Sequence, residues 1–283
     1  MRIVLISVPY DSGRRGERLG AGPSRLLDAG LERRLAAAGH QTEVQVAESP
    51  ADGWRAEIGT AFALAGAVSA LVRQAVADGA FPLVLSGNCG PAALGAVSGL
   101  GGAATVVWFD AHGDFNTPET TVGGFLDGMQ LATLTGRCWS GLSAGIPGFR
   151  ALPDSAVALV GARDLDPLEA EALTGSDIER IEVRSLRERL PAVLSRLCDR
   201  RSPAYLHLDL DVLDPSEGRV NPYIAPAGLS RVDLEWAIDA VGDALPLRAA
   251  ALTSYEPAAD ADGRVCETAL ALAGALASAA GRR

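Results

Sequence analysis

Two short stretches of this 283-residue chain concentrate side chains of the kind that ligate metal ions. The first, Asp110-Ala111-His112-Gly113-Asp114, follows directly on the apolar run Ala104–Phe109. If extended backbone persists, alternation places Asp110, His112 and Asp114 on one side. The second, His207-Leu208-Asp209-Leu210-Asp211, leaves another apolar run with Asp209 and Asp211 on one face. An Asp-rich loop taken alone is also an ordinary turn. Two unpaired carboxylates ending a buried strand are costly without a counter-ion. Ser86-Gly87-Asn88-Cys89-Gly90 adds a thiol after a third apolar run, and Glu256 follows a fourth. Acids, one imidazole and one thiol converging from four strand ends point to a centre for two divalent cations. His207 shares the face of Asp209 and Asp211 but sits further back in its strand, so it is expected behind the ligands rather than among them.

Such a convergence requires strands that end together. Short β-branched runs alternate with Ala/Leu-rich helical segments along the chain. Strands are expected at Arg2–Ser7, Pro82–Ser86, Ala104–Asp110, Ala156–Val160, Ile178–Val183, Ala204–Asp209 and Arg248–Ser254. Helices are expected at Pro23–Ala38, Glu57–Ala77, Pro91–Leu100, Leu126–Leu134, Leu186–Cys198, Arg231–Val241 and Arg264–Ala279. The strands are apolar almost throughout, as where both faces of a sheet are covered. The pattern predicts an α/β fold, a three-layer α/β/α sandwich around a mainly parallel sheet. Without linker or repeat it reads as a single domain over residues 1–283, with 141–148 and 215–228 as long loops at the sheet's edge. Ligands of such sheets collect at the carboxyl ends of the strands.

A net charge of −10 argues against a nucleic-acid partner, because nothing would neutralise the phosphates. Part of that acidity is what a bound cation cluster would balance. No apolar run reads as long enough to span a bilayer, and no membrane partner is expected. Cys89, Cys138, Cys198 and Cys266 show no paired spacing, which suits a reduced, cytoplasmic setting. The last three read as packing residues.

The motifs resemble those of the arginase (ureohydrolase) family. DAHGD is similar to the family's DAHxD motif, HLDLDVLDP to its second metal motif, and the segment Gly20–Leu27 to its Gly-Pro-rich opening. Glu256 falls where the family keeps a site glutamate. The resemblance implies two divalent ions, manganese first, bridged by Asp110 and Asp209. Cys89 and Asp114 would complete one site, His112 and Asp211 the other. It further implies that the ions lower the pKa of a bridging water. Asp114 would hold the resulting hydroxide, and Glu256 would pair with the nitrogens of a small guanidino substrate. Asp166 and Glu169, in VGARDLDPLE, are similar to residues that recognise an α-amino group, and Asn116 and Thr121 to residues that bind an α-carboxylate. Family resemblance also implies a homo-oligomer, trimer or hexamer.

Two departures shape the substrate expectation. Cys89 stands where the family has a ligating histidine, with Asn88 beside it. A thiolate favours zinc, iron or cobalt over manganese and adds negative charge, making the bridging water less acidic. Asp127 stands where the family has a histidine that relays a proton to the leaving amine, and could do so only with a raised pKa. Phe125 and Gly123 also replace polar residues. These changes suit a substrate more electrophilic than arginine. The motifs lie closest to the Nω-hydroxy-L-arginine amidinohydrolase branch. Agmatinase or guanidino-acid hydrolase activity, and a metal-binding relative without catalysis, are the alternatives.

Overall fold

Strand β1 (Arg2–Val8) sends Ile3 and Leu5 to one face of a sheet and Val4 and Ile6 to the other, and all four are buried. The computed structural model describes residues 1–50 and 56–282, so the expected span 1–283 includes positions outside the described residues, 51–55 and 283. A small hairpin follows, β2 (Tyr10–Asp11) with β3 (Arg14–Arg15). The other strands are β4 (Gln41–Val46), β5 (Phe81–Ser86), β6 (Thr105–Phe109), β7 (Val157–Val160), β8 (Glu179–Ile181), β9 (Ala204–Asp209) and β10 (Leu247–Thr253). The main sheet runs β4-β1-β5-β10-β9-β6-β7-β8, with every neighbouring pair parallel.

Ten helices are described: α1 (Gly22–Asp28), α2 (Leu31–Ala37), α3 (Glu57–Ala77), α4 (Cys89–Gly99), α5 (Gln130–Leu134), α6 (Ser140–Ser143), α7 (Pro167–Thr174), α8 (Leu186–Cys198), α9 (Arg231–Ala244) and α10 (Arg264–Ala280). Helices α1, α2, α8, α9 and α10 close one face, through Leu26, Leu35, Leu194, Ile238 and Leu276. Helices α3, α4 and α5 close the other, through Val68, Val97 and Leu131. The expected three-layer sandwich is therefore present. On the second face α3 and α4 approach closely, because a Cβ on Gly95 would lie 2.5 Å from that of Val68.

Several expectations need correction. Residues 23–38 form two helices, broken where Gly30 adopts φ 97°, a conformation that favours glycine. Strand β4 was not expected; its TEVQV sequence alternates weakly because it lies at a sheet edge. Helix α7 is also new, opened by a capping box in which Asp166 and Glu169 bond each other's backbone N–H. The segment 126–134 is a 3₁₀ turn over Asp127–Met129 followed by α5. Helix α3 is, by length and composition, apolar enough to cross a membrane, contrary to the sequence reading. Its apolarity is spent on packing against α4 and the sheet. Finally, the loop 215–228 does not lie at the edge but over the carboxyl ends of the central strands, where Asn221 bonds the Ser254 carbonyl just beyond β10.

Candidate metal centre

The centre is built where β5, β6, β9 and β10, all central strands, end side by side. Beyond β5 the chain turns into α4, so Cys89 enters the site as the first residue of a buried helix. Beyond β6 the extended conformation ends at Phe109, and Asp114 takes φ 48°. The simple alternation expected for Asp110, His112 and Asp114 therefore does not persist, yet the three side chains still converge. Ligand atoms of Cys89, Asp110 and Asp114 lie within 4.8 Å of one another, as do those of Asp110, His112 and Asp211. A third group, Cys89, His207 and Asp209, meets the same condition.

Three of the four carboxylates are held by hydrogen bonds within the protein. Asp110 accepts hydrogen bonds from the His112 backbone at 2.7 Å and from the Trp108 indole at 2.9 Å. Asp209 accepts from the Asp211 backbone at 2.8 Å, the Cys89 thiol at 3.0 Å and the Ser254 hydroxyl. Asp211 accepts from the Ala111 backbone at 3.3 Å and the Asn221 amide at 3.4 Å. His112 Nδ1 lies 3.3 Å from Asp110 and 3.5 Å from Asp211. One oxygen of Asp114 is buried with no partner in the protein.

Electrostatics show what the cluster attracts. Burial, then the charge of Asp211, raises the Asp209 carboxyl to about 7. Burial, then Asp110, raises Asp211 to about 6. Burial and four neighbouring aspartates push the Cys89 thiol well above its ordinary range. Burial lowers the His112 imidazole, but Asp110 and Asp211 overcome it and hold it at about 10. Apart from the burial of His112, these shifts all favour a positive charge among the oxygens. Hard oxygen donors, an imidazole, a thiol and an orphaned Asp114 oxygen fit divalent cations.

The remaining expected residues divide. Asn116, Thr121, Asp166 and Glu169 line the same cavity of about 410 Å³ as Cys89, His112, Asp114, Asp209 and Asp211. Asp166 there accepts from Asn116 at 3.1 Å, and Glu169 from the Phe115 backbone at 2.9 Å. His207 lies fully buried behind the centre, stacked on Trp108 at 3.8 Å and bonded to the Tyr205 hydroxyl at 2.8 Å. Burial lowers its pKa to about 3, so it is neutral.

Asp127 lines the cavity too, but its oxygens accept from the backbone N–H groups of Cys89 and Gly90, each at 2.9 Å. It anchors the start of α4, and burial raises its carboxyl to about 7, the direction a proton relay would require. Asn88 donates to Asp127 at 3.0 Å and bonds the Ser12 backbone, so its partners are Asp127 and the β2–β3 hairpin rather than the thiol. Glu256 departs most: it follows β10, its N–H donates to the Val220 carbonyl, and Ser254 rather than Glu256 forms the wall.

Sequence reasoning missed Trp108, Tyr205, Ser254, Asn221 and Tyr223, and also Thr253, whose hydroxyl lies 3.3 Å from the Cys89 sulfur. Counting back by two from Asp110 and by four from Asp209 would have found Trp108 and Tyr205. Asn221 and Tyr223 lie in an irregular loop where no spacing marks them.

Comparison with known proteins gives the family and the fold. Residues 1–281 match the arginase family. An arginase of Bacillus caldovelox is 30% identical, with 97% of each chain aligned. An N(omega)-hydroxy-L-arginine amidinohydrolase of Streptomyces lavendulae is 37% identical over 170 residues, covering 60% of this chain and 57% of that one. The crystal structure of an arginase from Bacillus cereus superimposes with a TM-score of 0.85 at 27% identity, covering 98% of both chains.

Proposed function

The chain belongs to the arginase family of amidinohydrolases, and on that premise we propose that it hydrolyses a C–N bond of a guanidino or hydroxyguanidino α-amino acid, Nω-hydroxy-L-arginine in preference to L-arginine. The observation that carries this reading is the unpartnered Asp114 oxygen, buried beside five further ligand candidates in an acid-lined cavity. Cys89, Asp110, His112, Asp114, Asp209 and Asp211 would hold two divalent ions. When bound, such ions act as Lewis acids and supply a nucleophilic hydroxide at neutral pH.

The protein's own groups do the rest. Asp114 accepts the hydrogen of the attacking water and orients its lone pair toward the planar carbon. The acidic wall, with Asp164 and Asp166 beyond the metal ligands, draws a cationic substrate in and orders it. Asp127 fixes the start of α4 and so the position of the Cys89 sulfur. The hydroxyl of an N-hydroxyguanidine withdraws charge from the reacting carbon, which suits a centre whose thiol adds negative charge. With either substrate the departing group is the δ-amine of ornithine, which takes up a proton as the C–N bond breaks. Asn116, Thr121, Asp166 and Glu169 receive the amino-acid end, and Glu256 would join the guanidinium only by turning into the cavity. The same reading gives a single cytoplasmic domain over residues 1–283, with manganese as the first metal to try, zinc, iron or cobalt as the alternatives favoured by Cys89, and a trimeric or hexameric assembly.

Ornithine release from manganese-loaded protein, measured with both amino acids, tests the proposal. Far faster release from Nω-hydroxy-L-arginine is expected. Equal or faster release from L-arginine would make Cys89 and Asp127 tolerated changes in an ordinary arginase. No release from either would sink the proposed substrate class.

A further inference from the structure

The cavity wall is mostly acidic and polar, but it includes two aromatic rings that face each other. Phe125, on the loop leading to Asp127, and Tyr223, on the loop between β9 and α9, stack with centroids 5.5 Å apart and planes 26° from parallel. Tyr223 is 41% exposed, which puts the pair at the mouth, whereas Cys89, Asp209 and Asp211 are buried at the floor.

Both rings stand on short tethers to that floor. Asn221, fully buried, accepts the Tyr223 N–H at 2.8 Å and donates to the Ser254 carbonyl at 2.9 Å and to Asp211 at 3.4 Å. Phe125 precedes by two residues Asp127, whose carboxylate is pinned by α4. An aromatic surface held at a defined height over a polar floor matches a ligand with a polar head and an apolar stem.

We infer that Phe125 and Tyr223 form an aromatic wall that packs on the methylene chain of the substrate and so selects for the presence and length of that chain. The inference rests on the proposed function, in which the reacting head lies at the metal floor and the amino-acid end at Asn116, Thr121 and Asp166. The methylenes joining these ends must cross the intervening space, and the other lining groups there are largely polar. Burial of one methylene is worth roughly fourfold in affinity, so a wall that covers most of the chain contributes roughly tenfold or more.

Calorimetric binding to manganese-loaded protein tests this, with the unreactive amino acid L-ornithine, which keeps the chain, and with N-hydroxyguanidine, which keeps the head and lacks the chain. In Phe125→Ser or Tyr223→Ser the Kd of the amino acid should rise roughly tenfold, and that of N-hydroxyguanidine far less. Phe125→Leu and Tyr223→Leu, which restore apolar surface, should recover most of the loss. Should Phe125→Ser fail to fold, Tyr223→Ser at the exposed mouth gives the same comparison. Equal weakening of both ligands would mean that the rings only brace the loops, and an unchanged Kd for the amino acid would mean that they do not touch it; either result overturns the wall. Wild-type turnover of Nω-hydroxy-L-arginine, followed in parallel, separates the two failures. Its absence removes the functional reading and the wall together, whereas turnover with insensitive variants removes the wall alone.

Discussion

Asp114 combines a left-handed backbone with a buried, unpartnered oxygen, and both features cost stability unless the site repays them. Asp114→Ala should therefore lower turnover of the metal-loaded protein by at least about a hundredfold, with far-UV circular dichroism unchanged. Cys89→His exchanges a soft anionic donor for a neutral imidazole beside Asp209. It should raise manganese affinity relative to zinc, read by competitive metal titration, and increase activity toward L-arginine. If Cys89→Ser left metal stoichiometry intact, Cys89 would not be a ligand. At this scale the sequence was most legible where residues recur at fixed spacing, as in DAHGD and HLDLD. Ser254 and Asn221 were illegible because each is an isolated polar residue whose role exists only once β9, β10 and the following loop meet. The anchoring role of Asp127 was illegible for a related reason: its backbone partners on α4 are invisible in one dimension.

Elements place these residues, and the loop 215–228 is the least regular of them. Asp214 closes it at both ends, accepting from the Ser216 backbone at 3.0 Å and from the Gly228 backbone at 2.9 Å. Arg163 braces it from below by donating to the carbonyls of Ala225 and Pro226 and, on the β9 side, to that of Asp211. Hydrogen bonds from Ser216, then from Gly228, hold the Asp214 carboxyl below its ordinary value. Because the folded-state value is depressed, its stabilisation is present above the unfolded value near 4 and fades as the pH falls through the folded one. Asp214→Ala should cost about 1 kcal/mol at pH 7, with the gap to wild type closing below about pH 4, in denaturant titrations across pH. Amide exchange in residues 215–228 should quicken more than in β9. The buried strands were legible because burial on both faces makes them uniformly apolar. Strand β4 was not, since an edge needs no such pattern, and neither was the break at Gly30, where one glycine interrupts an otherwise continuous helical period.

At the scale of the whole molecule, the charge of −10 and the buried acids set how stability responds to metal. Ions that bind the folded chain alone stabilise it by mass action, about 2.7 kcal/mol at a hundredfold excess over Kd. Manganese should therefore raise the unfolding midpoint by roughly 5–10 °C, and a chelator should reverse the gain, in scanning calorimetry at fixed pH. The layer architecture was readable from alternating strands and helices, but the order of the strands was not, since alternation says nothing about which neighbours pair. That order has a temporal meaning. Strand β10 comes last along the chain and stands in the middle of the sheet, between β5 and β9. During synthesis the two halves of the sheet emerge without the piece that joins them, and the ribosome must release almost the entire chain before the join can form. A prematurely stopped product is then no partial enzyme but two unjoined sheet fragments with bare inner edges, a natural client for chaperones, and loading with metal belongs to the final moments of maturation.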